Sequence, residues 1–326
     1  MPRRLTGFTP SGDLHLGNYF GAIAPIVAKQ ATTDTVVFIS DLHALTVEHD
    51  PAQVRQRTLQ FATLLLASGV DPDSCLFMAQ SHVPQHAELH YLLEATTAYG
   101  EAHRMIQFRE KSGRQKNVRL SLLTYPILMA ADILLYDTDE VPVGEDQRQH
   151  VELARVLAQR FNTRYAPVFT VPAVVNPPVA ARIMDLAAPT DKMSKSASSP
   201  TGTLRLLDPP DVLRRKVMRA VTDIDTDVLY DPQRKAGVSN LLAILAACTG
   251  GEPRGLAASF ARYSELKTAV ADAVVDTVVP IRERYLSLAE DPRSVHAALR
   301  VGAERAREMA GAKIRQAKVA IGLLPT

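Results

Sequence analysis

The sequence predicts an α/β fold, with a parallel sheet and its helices in the first half and a mostly α-helical second half. Two observations carry the prediction. Through the first half, short apolar runs alternate with helical patterns, the rhythm of βαβ units. After about residue 203, strand signals vanish and helix starts recur. A third observation bounds the size. A chain of 326 residues, 46% hydrophobic and 22% charged, can form one large or two ordinary domains with a substantial core.

Each element can be justified in order. RLTGF (4–8) reads as a first strand, followed by a TPSG turn and a helix opening near His15. TVVFIS (35–40) reads as a second strand. Asp50 then offers an N-cap, Pro51 a first helical position and Gln53 a capping-box partner, so a helix runs to about Ser68 and stops at Gly69. CLFMA (75–79) is a third strand, and a helix covers HAELHYLLEATTAY. Residues 120–136 read as a buried helix, VPVG (141–144) as a strand and QRQHVELARVLAQRF as another helix. In the second half Asp208-Pro209 precedes a basic helix, LRRKVMRAV. Ser239 then starts NLLAILAAC, and a last helix at about 296–320 is able to pack back on the sheet.

Composition excludes several classes. Lysine and arginine total 37 against 35 acids, so no global field draws the chain onto nucleic acid. DNA binding is not expected, and an RNA partner needs a local patch such as Arg214, Arg215, Lys216 and Arg219. The most apolar stretch is broken by Pro126 and Asp132, so no membrane span is expected. The start, MPRRLTGFTPSG, lacks the apolar core of a signal peptide. Cys75 and Cys248 stand far apart, which argues against a disulfide framework and for a reducing cytoplasm.

Two segments carry chemistry. In TPSGDLHLGNY (9–19) a strand ends, a turn follows and a helix opens at His15-Leu-Gly17-Asn18. Such a corner offers backbone N–H groups to an anion, although a polar-capped corner reads equally well from these residues alone. In DKMSKSASSP (191–200), two cations sit among small polar residues. A solvated loop is the ordinary reading of such a run.

Together, HxGN and KMSKS resemble the two signatures of class I aminoacyl-tRNA synthetases. LLTYPILMAADILLYDTDEVPVGEDQRQHVELARVLAQRFN (122–162), ISDLHALT, RMIQFREKS, ARIMDL and GVSNLL are similar to stretches of bacterial tryptophanyl-tRNA synthetases. The resemblance runs from about residue 4 to about residue 320. It implies a Rossmann-like catalytic domain over 1–186, to which 293–326 can return. It also implies a KMSKS loop and helical anticodon-binding domain over 187–292. Implied too are activation of L-tryptophan with ATP and Mg²⁺, transfer to tRNA(Trp), and a homodimer.

Carried over position by position, the resemblance implies catalytic roles for His15, Asn18, Lys192 and Lys195. Lys192 and Lys195 would meet the triphosphate as the loop closes, with Ser194 and Ser196 adding hydroxyls. Gly17 would lie under the nucleotide, and Ile183 and Met193 would meet adenine through backbone groups. Thr9, Pro10 and Ser11 would line the phosphates, and Gly144, Glu145 and Asp146 the ribose. Asp132 would accept the indole N–H. From the residues alone it reads as a buried acid paired with an arginine. Tyr125, Gln147 and His43 would surround the amino acid, walled by Met129, Ile133, Val141 and Val143.

Leu5, Thr9 and His15 depart from residues common in that family, which leaves the class intact but puts the tightness of tryptophan binding in doubt. His82, His86 and His90 superficially suggest a zinc helix, but HAELH lacks the HExxH order and no metal is expected. The rivals are a tyrosyl-tRNA synthetase, against which the AAD and GEDQ stretches argue, and a non-catalytic RNA- or ligand-binding paralogue.

Overall fold

The structure is a computed structural model that describes residues 1–113, 117–175, 182–194 and 201–324. The strands are β1 (Arg4–Phe8), β2 (Thr35–Ile39), β3 (Leu76–Ala79), β4 (Glu140–Pro142) and β5 (Ala173–Val175). The helices of the first half are α1 (Leu16–Asn18), α2 (Ala24–Lys29), α3 (Pro51–Ala67), α4 (Gln85–Glu94), α5 (Tyr99–His103), α6 (Ile106–Ser112), α7 (Leu120–Leu134) and α8 (Glu145–Arg164). Those of the second half are α9 (Pro210–Met218), α10 (Ala236–Thr249), α11 (Pro253–Ala257), α12 (Tyr263–Glu290) and α13 (Arg293–Ile321).

All strand pairings are parallel, in the order β3-β2-β1-β4-β5. Alternate residues feed two cores. Phe8, Val37, Ile39 and Phe77 face one side, while Leu5, Val36, Phe38 and Met78 face the other. A sheet covered on both faces needs these near-continuous apolar runs, which is why its central strands were legible in the sequence. The chain moves outward from β1 to β3 on one side and returns to β4 on the other. The crevice at the carboxyl ends of β1 and β4 is therefore a topological switch point, where open α/β sheets bind ligands.

The Asp50 side chain accepts the Ala52 N–H at 2.9 Å and starts α3, and Gly69, at φ 101°, follows its end. Two details differ from the sequence reading. β5 was missed because it is a three-residue edge strand directly after Pro172. Ser239 does not start α10. The helix begins at Ala236, where Gly237 lies so close to the Val221 carbonyl that a Cβ would sit 2.0 Å from its oxygen. Ser239 is buried inside that helix and its hydroxyl accepts the Asp231 N–H at 2.9 Å.

The halves share their packing. α12 packs on α3, and one apolar cluster runs from the sheet through α3 into α9, α10 and α12. α13 crosses back onto β3, α4 and α3. Lys313 ties it to the Val168 carbonyl (2.8 Å) and Asp137 (2.6 Å), and Lys318 to Glu88. Gly302 makes the crossing possible, because a Cβ there would lie 1.7 Å from the Phe77 carbonyl oxygen. Backbone cannot retreat as a flexible side chain can. Gly302→Ala should therefore cost about 1–3 kcal/mol through overpacking, seen as a lower unfolding midpoint in denaturant. An unchanged midpoint would show that α13 is not pressed onto β3.

Candidate active site

A cavity of about 660 Å³ opens at the switch point. Thr9, Pro10 and Ser11 enter it from the end of β1, Val143 and Gly144 from the end of β4, and Gln147 from α8. His43, from the 3₁₀ turn His43–Thr46, and Tyr125, Met129 and Asp132 of α7 complete the expected residues in its lining. Leu5, Phe38 and Val141 also line it. Ile133 does not. It is fully buried in the core, because residues 129 and 132 present the cavity face of α7 and 133 falls on another.

Asp132 is 1% exposed, yet its partners are not the arginine expected from sequence. Its Oδ1 accepts from Gln80 Nε2 at 2.7 Å and from His86 Nδ1 at 2.6 Å, and its Oδ2 accepts from His43 Nε2 at 2.9 Å. The Leu42 N–H donates to Gln80 Oε1 at 3.1 Å. A backbone N–H can only donate, so the Gln80 amide has one orientation, with its NH₂ toward the carboxylate. Asp41, the neighbour of Leu42, accepts from the N–H and hydroxyl of Ser81, and this binds the loop after β2 to the turn after β3.

Burial works to raise the Asp132 pKa. Hydrogen bonds from His43 and His86, with the charge those rings can carry, outweigh it and hold the carboxyl below the ordinary carboxylate range. An ionised carboxylate with three donors in place keeps roughly one further acceptor position. Asp132 lines the cavity, so that position suits a ligand N–H or O–H.

A second polar chain includes a residue that sequence reasoning missed. His150, buried in α8, lies with Nδ1 2.9 Å from Gln147 Oε1 and Nε2 3.0 Å from the Tyr125 hydroxyl. Tyr125 also donates to Gln107 Oε1 at 3.3 Å, while Gln107 donates to the Asp146 carbonyl. Burial, with the charge of Glu110, pushes the Tyr125 pKa up, so the phenol stays protonated. The detectable signal was helical spacing, since His150 lies one turn beyond Gln147.

Of the expected nucleotide residues, Thr9, Pro10, Ser11 and Gly144 line the cavity, while His15, Gly17, Asn18 and Ile183 are outside its lining. His15 is buried and pairs with Arg205 in an isolated antiparallel bridge. The Leu16 N–H donates to the Leu204 carbonyl at 2.8 Å and the Leu206 N–H to the Leu14 carbonyl at 3.0 Å. A Cβ on Gly17 would lie 3.1 Å from the His15 ring and 3.7 Å from Ile183, so glycine leaves open the space between them. Asn18 spends its amide oxygen on the His15 N–H at 3.2 Å. Glu145 and Asp146 begin α8 behind its Gly144 N-cap. Asp146 accepts from Gln147 Nε2 at 2.8 Å, so it orients that amide.

The 182–194 hairpin is also fixed. Met193 N–H donates to the Ile183 carbonyl at 3.2 Å, so these two groups pair with each other. The Met193 side chain is core, packed with Ile183, Leu186 and Leu204. Asn240 of α10, another missed residue, clamps Met184 by accepting its N–H (2.9 Å) and donating to its carbonyl (3.0 Å). Lys192 is exposed and Ser194 half-buried, while Lys195 and Ser196 lie outside the described residues.

The basic patch on α9 is partly spoken for. Lys216 Nζ reaches Asp208 at 2.7 Å and the Thr203 carbonyl at 2.8 Å, so it holds the chain after the KMSKS sequence rather than facing RNA. Arg214 pairs with Asp272, and Arg215 and Arg219 are exposed. Burial pushes the Cys75 thiol up to about 12 and the Cys248 thiol up to about 11, so neither is a ready nucleophile. Both His86 ring nitrogens are engaged, Nδ1 with Asp132 and Nε2 with the Tyr136 hydroxyl, which leaves neither for a zinc ion.

Known proteins resemble the chain along nearly its full length. The chain is 55% identical over 330 residues to tryptophan–tRNA ligase 1 of Streptomyces coelicolor, covering 100% of this chain and 98% of that one. Its fold is similar to tryptophanyl-tRNA synthetase of Mycoplasma pneumoniae, with TM-score 0.90, 35% identity, and 99% and 98% of the two chains covered. It is also similar to the Campylobacter jejuni tryptophanyl-tRNA synthetase complexed with ADP and tryptophan, with TM-score 0.86, 33% identity, and coverage of 98% and 100%. Residues 2–279 match the family tRNA synthetases class I (W and Y), and the chain belongs to that family.

Proposed function

We propose that this chain activates L-tryptophan with ATP, giving tryptophanyl-adenylate and pyrophosphate, and then transfers tryptophan to the 3′ end of tRNA(Trp). The observation that carries the reading is the cavity at the switch point, with a buried, ionised Asp132 that retains room for one donor. An indole N–H is such a donor. Leu5, Phe38, Met129, Val141 and Val143 give the ring apolar walls. Tyr125 and Gln147, pinned by His150, present polar atoms for the ammonium and carboxylate.

The tryptophan carboxylate attacks the α-phosphorus, and the bond to the leaving pyrophosphate breaks. No protein nucleophile is needed, so catalysis is positioning plus stabilisation of the charge that develops. Thr9, Pro10, Ser11 and Gly144 lie in the same cavity as the amino-acid residues, while His15, Gly17 and Ile183 stand together outside its lining. Among the described residues, no three His, Cys, Asp or Glu side chains cluster as metal ligands. The proposed Mg²⁺ would therefore be held chiefly by the triphosphate, whose charge it neutralises.

The reading divides the chain into a catalytic unit, 1–186 with 293–326, and a helical anticodon-binding unit, 187–292. Among the described residues, no helix is long and apolar enough to cross a membrane. A cytoplasmic location belongs to the proposal. So does a homodimer: α4 to α7 pack together and carry exposed Tyr91, Tyr99, Ile106 and Leu120. A monomer in sedimentation at micromolar concentration would remove the dimer.

ATP–pyrophosphate exchange with each amino acid in turn tests the function. Exchange should appear with tryptophan, and Asp132→Ala should lower kcat/KM for tryptophan by up to about 10⁴ while sparing ATP binding. Exchange with tyrosine instead, or with no amino acid, would contradict the reading. The proposed part for Lys195 rests on its sequence. Charge moves onto the leaving pyrophosphate, so a cation arriving with loop closure stabilises the transition state more than bound ATP. Lys195→Ala should lower the single-turnover rate of adenylate formation by about 10²–10³, with ATP affinity little changed. A normal saturated rate with weakened ATP binding would show that the lysine merely holds substrate.

A further inference from the structure

We propose that His86 is a positioning residue for substrate recognition, aiming the Asp132 carboxylate at a ring N–H donor, with Tyr136 fixing its tautomer. The proposal rests on the reading that Asp132 accepts the indole N–H. His86 is 0% exposed and does not line the cavity, so it can act on substrate only through another group. It sits on α4, with Nδ1 2.6 Å from Asp132 Oδ1 and Nε2 2.8 Å from the Tyr136 hydroxyl. Its ring also lies 6.0 Å from that of Phe38, a residue of the cavity wall.

The directions of these hydrogen bonds follow from chemistry. An ionised carboxylate oxygen only accepts, so Nδ1 carries a proton. With the ring neutral, the Tyr136 hydroxyl donates to Nε2. Its alternative acceptor, Met78 Sδ at 3.7 Å, is weak. Burial and the Asp132 charge both push the Tyr136 pKa up, so the phenol keeps its proton for this purpose. Every donor therefore runs toward Asp132: Tyr136 to His86, then His86, Gln80 and His43 to the two oxygens.

This arrangement is more than a satisfied buried acid. A carboxylate turns easily about its terminal torsion. Three donors, from the loop after β2, the turn after β3 and α4, fix its plane and leave one acceptor position. Without the His86 donor, Oδ1 keeps Gln80 alone. The group then can rotate or take up a proton, and a protonated acid presents an O–H where the site needs an acceptor.

The test compares tryptophan with its benzothienyl isostere, in which sulfur replaces the indole N–H, in ATP–pyrophosphate exchange. His86→Phe keeps a ring but removes the donor, His86→Asn keeps an N–H near Nδ1, and Tyr136→Phe leaves the donor without its lock. His86→Phe should lower kcat/KM for tryptophan about 10–100-fold, the scale of one hydrogen bond to a charged group, chiefly through KM for tryptophan. The isostere should change less than about threefold and KM for ATP should hold, while His86→Asn should recover most of the loss. Tyr136→Phe should fall between and supplies the test if His86→Phe does not fold. Equal losses on both substrates, or no recovery in His86→Asn, would overturn the proposal and leave His86 a structural residue. An unchanged preference in Tyr136→Phe would also overturn it. Asp132→Ala separates the two readings. If it leaves the preference for tryptophan intact, the pocket assignment itself fails, and the role of His86 with it.

Discussion

A single negative charge, buried at the end of a parallel sheet, organises this structure. Asp132 can remain ionised inside the core because three donors converge on it from three different connections. Each connection is held in turn: the Leu42 N–H by Gln80, Asp41 by Ser81, and His86 by Tyr136. Removing one partner of such a set leaves a buried charge short of donors, at a cost of about 3–5 kcal/mol. The fold therefore has reason to hold its β-strand ends in one register, and the same register forms the cavity. Stability and recognition depend on the same atoms.

The second constraint is the route of the chain around the signature loop. Its two flanks are anchored differently. On one side, Asn240 of α10 pairs with the Met184 backbone as a strand partner would, and Met193 is packed in the core. On the other, residues 204–206 are laced to residues 14–16 at the start of α1, and Lys216 holds Thr203. The helical half thus reaches the nucleotide residues through fixed backbone contacts. Any change in the packing of α9 or α10 against the sheet half moves both flanks of the KMSKS sequence. This supplies a physical link by which events in the helical half can reach the residues proposed to hold ATP.

Much of the architecture was legible because the sheet is buried on both faces. Such strands must be apolar throughout, and TVVFI and LFMA are. α3 was readable at both ends because Asp50 and Gly69 act locally. β5 was not, since an edge strand of three residues next to proline has little local signal. Long-range polar pairing was the least accessible layer. The sequence separations from Asp132 to His43 and His86 are 89 and 46 residues, and nothing local announces either partner. His86 drew notice only through its spacing from His82 and His90, a superficial zinc pattern that the HAELH order already argued against. The structure gives it a carboxylate instead. The α9 cations looked like one patch in sequence, but Asp208 lies within reach of Lys216 only after the chain folds.

The central claim is that Asp132 keeps one acceptor position open for an indole N–H. The chain contains no tryptophan of its own, so an indole signal in the complex comes from substrate alone. Proton–nitrogen correlation NMR of tryptophan labelled with ¹⁵N in the indole, bound to the protein, reads that hydrogen bond directly. The account predicts an indole proton shifted well downfield of free tryptophan, protected from exchange with water and moved back upfield in Asp132→Ala. A bound indole proton with the shift and exchange rate of free tryptophan would contradict it.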